Sequence, residues 1–189
     1  MVPSRQPAGF SLVELLVAMF IGVVLYAMVV GPSRGQVRQQ KLARCAENLR
    51  KLHMMLTLYA NEHDGAFPVA MGARNSDEVL ASLVPRYTSD RSFFSCPATG
   101  HEGRADFAIV TGLRKDSPVS LLASDAQVNT EPKLRGAKIF ADAEGTHGGN
   151  HGAGGGNLLF TDGHVETTGA AAPRDLLLPP GAKILNPAQ

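Results

Sequence analysis

The spacing of apolar positions along this chain changes character twice. From Leu15 to Ser33 no residue is charged, and between Arg5 and Arg34 the one charged residue is Glu14. The 21 residues from Phe10 to Val30, wound as a helix, reach about 31 Å. The hydrocarbon core of a bilayer is about 30 Å thick. This run exceeds the roughly 7–15-residue apolar core of a secretory signal peptide, so residues 10–32 are expected to form a transmembrane helix.

Beyond the anchor the pattern becomes amphipathic. Neither Gly nor Pro interrupts Gln36 to His63, and Leu42, Cys45, Leu49, Leu52, Leu56, Tyr59 and His63 recur at alternating spacings of three and four. That is one stripe of a helix, with Arg38, Lys41, Glu47, Asn48 and Arg50 lying off it. The stripe predicts that 33–65 continues the anchor as a helix, packs on a small sheet and stops at Asp64-Gly65. Asn75-Ser76-Asp77-Glu78 ahead of Val79-Leu80 reads as the cap and first turn of a short helix closed near Pro85.

Short β-type runs follow. Strands are expected at 106–110, 119–123 and 137–141, with a hairpin pairing 157–161 and 164–168 around Asp162-Gly163. That dipeptide favours a two-residue type I′ turn. After Gly169 four prolines suggest an extended wrap or a loose end. The expected organisation is a leader (1–9), a spanning helix (10–32), an amphipathic helix (33–65), a globular head (66–169) and a Pro-rich tail (170–189). The fold class is α+β, a long amino-terminal helix packed on a small antiparallel β-sheet.

Charge and composition narrow the function. With 18 Lys plus Arg against 17 Asp plus Glu, the formal net charge is +1, which argues against a polybasic nucleic-acid binder. Two cysteines exclude a disulfide-dense miniprotein, and no CxxC knuckle is present. Without a GxSxG elbow, a P-loop or an HExxH helix, no enzyme is expected. Glu14 is the anomaly of the apolar run, because a carboxylate near a bilayer centre costs about 2.5–3.5 kcal/mol, less at the interface. It either sits at headgroup level as an acid complementing the helix dipole or meets a cation inside the membrane.

Pro7-Ala8-Gly9 followed by Phe10-Ser11-Leu12-Val13-Glu14-Leu15-Leu16 resembles the processing site of type IV prepilins and type II secretion pseudopilins. The resemblance implies that a prepilin peptidase cuts after Gly9 and that Phe10 becomes the N-methylated first residue. It also implies that Glu14 pairs with the amine of a neighbouring subunit during assembly. A buried carboxylate needs such a cation. The implied partners are the peptidase, other pseudopilin subunits and the bacterial inner membrane, crossed once, with the head in the periplasm. Pro32 stands where many of these proteins end or kink the span. The Lys/Arg count alone, Arg5 before the span against Arg34, Arg38, Lys41 and Arg44 after it, would place the head in the cytoplasm; the resemblance implies the reverse.

The likeness continues past the anchor. Cys45, Asn48-Leu49-Arg50, Tyr59-Ala60 and Asp64-Gly65-Ala66-Phe67-Pro68 resemble a subset of pseudopilin-like proteins. Asn157, Phe160, Asp162-Gly163 and His164-Val165 resemble a carboxy-terminal signature in which a His precedes Asp-Gly by nine residues. Here ten residues separate His151 from Asp162.

Two further chemistries are open. Cys45 and Cys96 can form a disulfide in an oxidising compartment, worth roughly 4 kcal/mol on a chain-entropy basis, or they can be two small buried hydrophobes that never meet. His147, His151, Asp162 and His164 are ligand types that suit zinc or another divalent transition metal; equally, Asp162 can serve the turn while the histidines bond loop carbonyls. Likeness to the calcium-binding loop of some major pseudopilins makes Asp125, Asp142, Glu144 and Asp162 candidates for calcium, although no EF-hand pattern accompanies them. A membrane-tethered periplasmic ligand- or metal-binding protein that never polymerises is the alternative to the filament subunit.

Overall fold

The computed structural model describes residues 11–30, 34–101, 103–140, 149–151 and 154–188. Three α-helices come first, α1 (Leu12–Val30), α2 (Arg34–Glu62) and α3 (Ser76–Ala81), then a 3-10 turn (Ser92–Phe94). Five strands follow: β1 (Phe107–Thr111), β2 (Leu121–Asp125), β3 (Gly156–Phe160), β4 (Val165–Thr168) and β5 (Lys183–Leu185). They form one antiparallel sheet in the order β4-β3-β2-β1-β5. The fold is α+β and pilin-like, and the chain divides into two compact units at Val37/Arg38.

The first unit holds α1. Its side chains from Leu12 to Met28 are all exposed, and Glu14 lies in its first turn. The expected span of 10–32 is not supported: among the described residues no helix is long and apolar enough to cross a membrane. The 19 residues of α1 rise about 28 Å, slightly less than the roughly 30 Å hydrocarbon core. Phe10 and Pro32, at the two ends of the longer span, lie outside the described residues, as does Gly9 of the expected leader.

The second unit is built on the stripe of α2. Cys45, Leu49, Leu52 and Leu56 are completely buried, joined by Ala60, in one cluster with Phe107, Ile109, Leu122, Leu158 and Leu159 of the sheet. At the end of the stripe Tyr59 is half-buried and stacks on exposed His63, ring centroids 3.8 Å apart. The helix stops as expected at Asp64-Gly65, where the Gly65 N–H donates back to the Ala60 carbonyl at 2.8 Å, a C-terminal capping bond. The short helix α3 also starts as expected. The Asn75 side-chain oxygen accepts from the Glu78 N–H at 3.0 Å, and the Glu78 carboxylate returns to the Arg74 N–H.

β1, β2 and β3 are buried along their whole length. The hairpin forms with Leu158 opposite Glu166 and Leu159 opposite Val165. Its turn is not type I′, because of Asp162 and Gly163 only Gly163 has positive φ. The Gly163 N–H donates to Phe160 O, and the Phe160 N–H donates to His164 O. That makes a three-residue loop, a type I turn closed by a left-handed glycine.

Residues 137–140 do not become a strand, and Ala141 lies outside the described residues. Lys138 makes one isolated bridge, to Ala171, while Ile139 and Phe140 are fully buried. Main-chain bonds to Ala170 and Ala172 flank that bridge, and Pro173 follows at once, so no ladder extends from it. Three tail residues do form a strand: β5 pairs with β1, placing Ile184 opposite Val110 at the sheet edge.

Candidate functional site

Four polar side chains converge between α2 and the sheet. Cys45 lies on the buried stripe of α2, Cys96 follows the 3-10 turn, Asp125 ends β2, and His151 precedes β3. The Cys45 and Cys96 sulfurs, both free thiols, are 2.7 Å apart. Cys45 Sγ is 3.0 Å from Asp125 Oδ1, Cys96 Sγ is 3.3 Å from His151 Nε2, and His151 Nε2 is 3.7 Å from Asp125 Oδ2. One ligand atom from each lies within 4.8 Å of all the others. Cys45 and Asp125 are wholly inaccessible, and the side chain of His151 is 1 % exposed.

Each member has its own support. Asp125 Oδ2 accepts from the Asn157 N–H at 2.7 Å and from Asn157 Nδ2 at 3.2 Å, and Oδ1 accepts from Asn150 Nδ2 at 2.6 Å. Asn157 also donates to the Leu42 carbonyl and accepts from Thr167 Oγ1, so one side chain ties α2, β2 and β4 together. The Cys96 N–H donates to the buried Asp106 carboxylate at 2.8 Å, which Thr99 Oγ1 and His101 Nδ1 also contact. Asn48 Nδ2 donates to Ser95 O, fastening the Cys96 loop to α2. A Cβ at Gly156 would stand 2.9 Å from Asp125 Oδ2 and 3.1 Å from Phe140 Cδ2; glycine lets β3 approach this closely.

The electrostatics follow from burial and mutual proximity. Burial, reinforced by the Cys96 and Asp125 contacts, pushes the Cys45 thiol far up. Cys96 falls to about 7: the bond from Cys45 and contacts to His151 and the Ala98 N–H outweigh desolvation. Burial raises Asp125 despite the Cys45 contact, His151 and its amide donors. Burial would lower His151, but Cys96 and Asp125 outweigh it and push it up. Taken together, Cys96 is the more acidic of the two thiols.

This is not a nucleophile–base–acid relay. In a relay the carboxylate holds the imidazole nitrogen opposite the nucleophile, whereas here Cys96 and Asp125 both face Nε2.

The sequence placed some of these residues and not others. It named Cys45 and Cys96 as a pair, His151 as a metal ligand and Asp125 as a calcium candidate, but in separate sets. Asp162 and His164 stay at the hairpin tip, His164 Nδ1 2.7 Å from Asp162 Oδ1 and its ring stacked on Phe160. Among the described residues, His, Cys, Asp and Glu gather in groups of three or more only at the Cys45 cluster. His147, Asp142 and Glu144 lie outside the described residues, as do Gly9 and Phe10.

No curated protein and no solved structure matches the chain. Residues 4–30 match the family model for the prokaryotic N-terminal methylation motif, the motif of prepilins and pseudopilins, so the chain carries a type IV pilin-like amino terminus ahead of its α+β head.

Proposed function

We propose that this protein is a pilin-like structural subunit of an inner-membrane-anchored filament of the type II secretion or type IV pilus kind. A prepilin peptidase processes it after Gly9 and Phe10 is methylated. One observation carries the reading: the methylation motif covers 4–30, and the described side chains of α1 within it are exposed and apolar apart from Glu14. A helix this apolar needs lipid or other helices around it. In this reading the segment is held at the inner membrane, with the head in the periplasm. In the assembled state the same surface packs against copies of itself or related subunits. The Glu14 carboxylate, buried there, meets the Phe10 amine of a neighbour.

The test is assembly in the native cell. Glu14→Ala keeps the folded head and its membrane association, but subunits no longer cross-link into multimers. Multimers of undiminished yield from Glu14→Ala would reject the role given to the carboxylate.

A further inference from the structure

We propose that Cys45, Cys96, Asp125 and His151 form a closed, four-coordinate structural zinc site that locks α2 to the sheet. Two sulfurs, one imidazole nitrogen and one carboxylate oxygen make a borderline-soft donor set of the kind zinc takes in tetrahedral sites. Calcium, which takes six to eight oxygens, does not suit it.

A disulfide would account for the cysteines but not for a carboxylate and an imidazole buried against them at 3.0 and 3.3 Å. A plain hydrogen-bonded cluster leaves two thiols and a carboxylate facing one another in the buried interior, with the imidazole as the one basic group among the four. Burying acidic groups this way is unfavourable unless a cation lies between them. A divalent ion satisfies all four. On binding it displaces the two thiol protons to solvent, takes Asp125 as the carboxylate and His151 as neutral imidazole through Nε2.

The surroundings are those of a ligand set held in place. Asn150 and Asn157 orient the carboxylate from outside, and the Asp106 carboxylate holds the main chain at Cys96. Such outer partners orient first ligands at metal sites. The side chains are buried and leave no open position, so the ion joins four segments and is not presented to a substrate. The sequence separations are 51 residues from Cys45 to Cys96, 80 from Cys45 to Asp125 and 55 from Cys96 to His151.

The full chain, purified in detergent under reducing conditions from zinc-replete cells, is expected to hold one zinc per chain by elemental analysis. Cobalt exchanged into it gives thiolate-to-cobalt charge transfer and the intense visible bands of a tetrahedral ion. The Cys45→Ser/Cys96→Ser double variant loses the metal. Because that variant can fail to fold, Asp125→Cys provides a second reading: it creates three sulfurs and one histidine, retains one metal and strengthens the charge-transfer band. A metal-free wild type, whether with a Cys45–Cys96 disulfide by mass or with two titratable thiols, overturns the proposal. So does equal zinc in the double variant, or a cobalt spectrum that Asp125→Cys leaves unchanged.

Discussion

His151 Nε2 stands 3.3 Å from the sulfur of Cys96, 55 residues earlier in the chain. The contact joins a loop after the 3-10 turn to a loop before β3, and Cys45 and Asp125 close around it. The head is therefore held at its centre by polar groups as well as by the leucine stripe. Its stability should respond to substitutions at both.

Removing the metal should loosen the whole head. A ligand present at a thousand times its dissociation constant stabilises the native state by about 4 kcal/mol. For a domain of this size that corresponds to roughly 8–16 °C in Tm. Thermal melts of the reduced full chain with excess zinc and with a strong chelator should differ by that order. Identical melts would count against a bound ion.

Asn157→Ala should destabilise the fold by about 2 kcal/mol. It removes the side-chain bonds to the Asp125 carboxylate and the Leu42 carbonyl and leaves Thr167 Oγ1 without its acceptor, and losing buried bonds of this kind costs about 1–3 kcal/mol. Denaturant titration measures it, with a lower midpoint and an unchanged slope expected.

The close approach at Gly156 makes a contrast with Gly169. Gly156→Ala places a methyl against Asp125 and Phe140 and should cost about 1–3 kcal/mol, and it should weaken cobalt binding. Gly169→Ala meets nothing within 4 Å and should stay within about 0.5 kcal/mol of the parent. Equal effects would refute the crowding.

On α2, Leu52→Ala should cost about 2–5 kcal/mol because the side chain is wholly buried and leaves a cavity. Leu58 is 49 % exposed, and Leu58→Ala should change stability by less than about 0.5 kcal/mol.

Much of this architecture was legible because it is local. The stripe from Cys45 to Leu56, the Asn75 cap, the Asp64-Gly65 stop and the hairpin around Gly163 each follow from spacing within a few residues. What escaped was long-range. Ile139 and Phe140 are apolar enough for a strand, yet they fill the core beside a single bridge. Lys183 to Leu185, set among prolines, complete the sheet through a partner more than 70 positions away. The cluster escaped for the same reason: its members come singly from four segments, with no two near one another in sequence. Its traces were a cysteine on a core stripe, an aspartate closing an apolar run and a glycine-dense approach to β3, each with an ordinary explanation alone.

The claim that organises all of this is that the amino terminus is a processed, pilin-type assembly segment. The mass of the amino-terminal peptide of the protein isolated from its native membrane tests it most directly. The account predicts a chain beginning at Phe10 and heavier by one methyl group; an intact Met1, or a cut anywhere other than after Gly9, would contradict it.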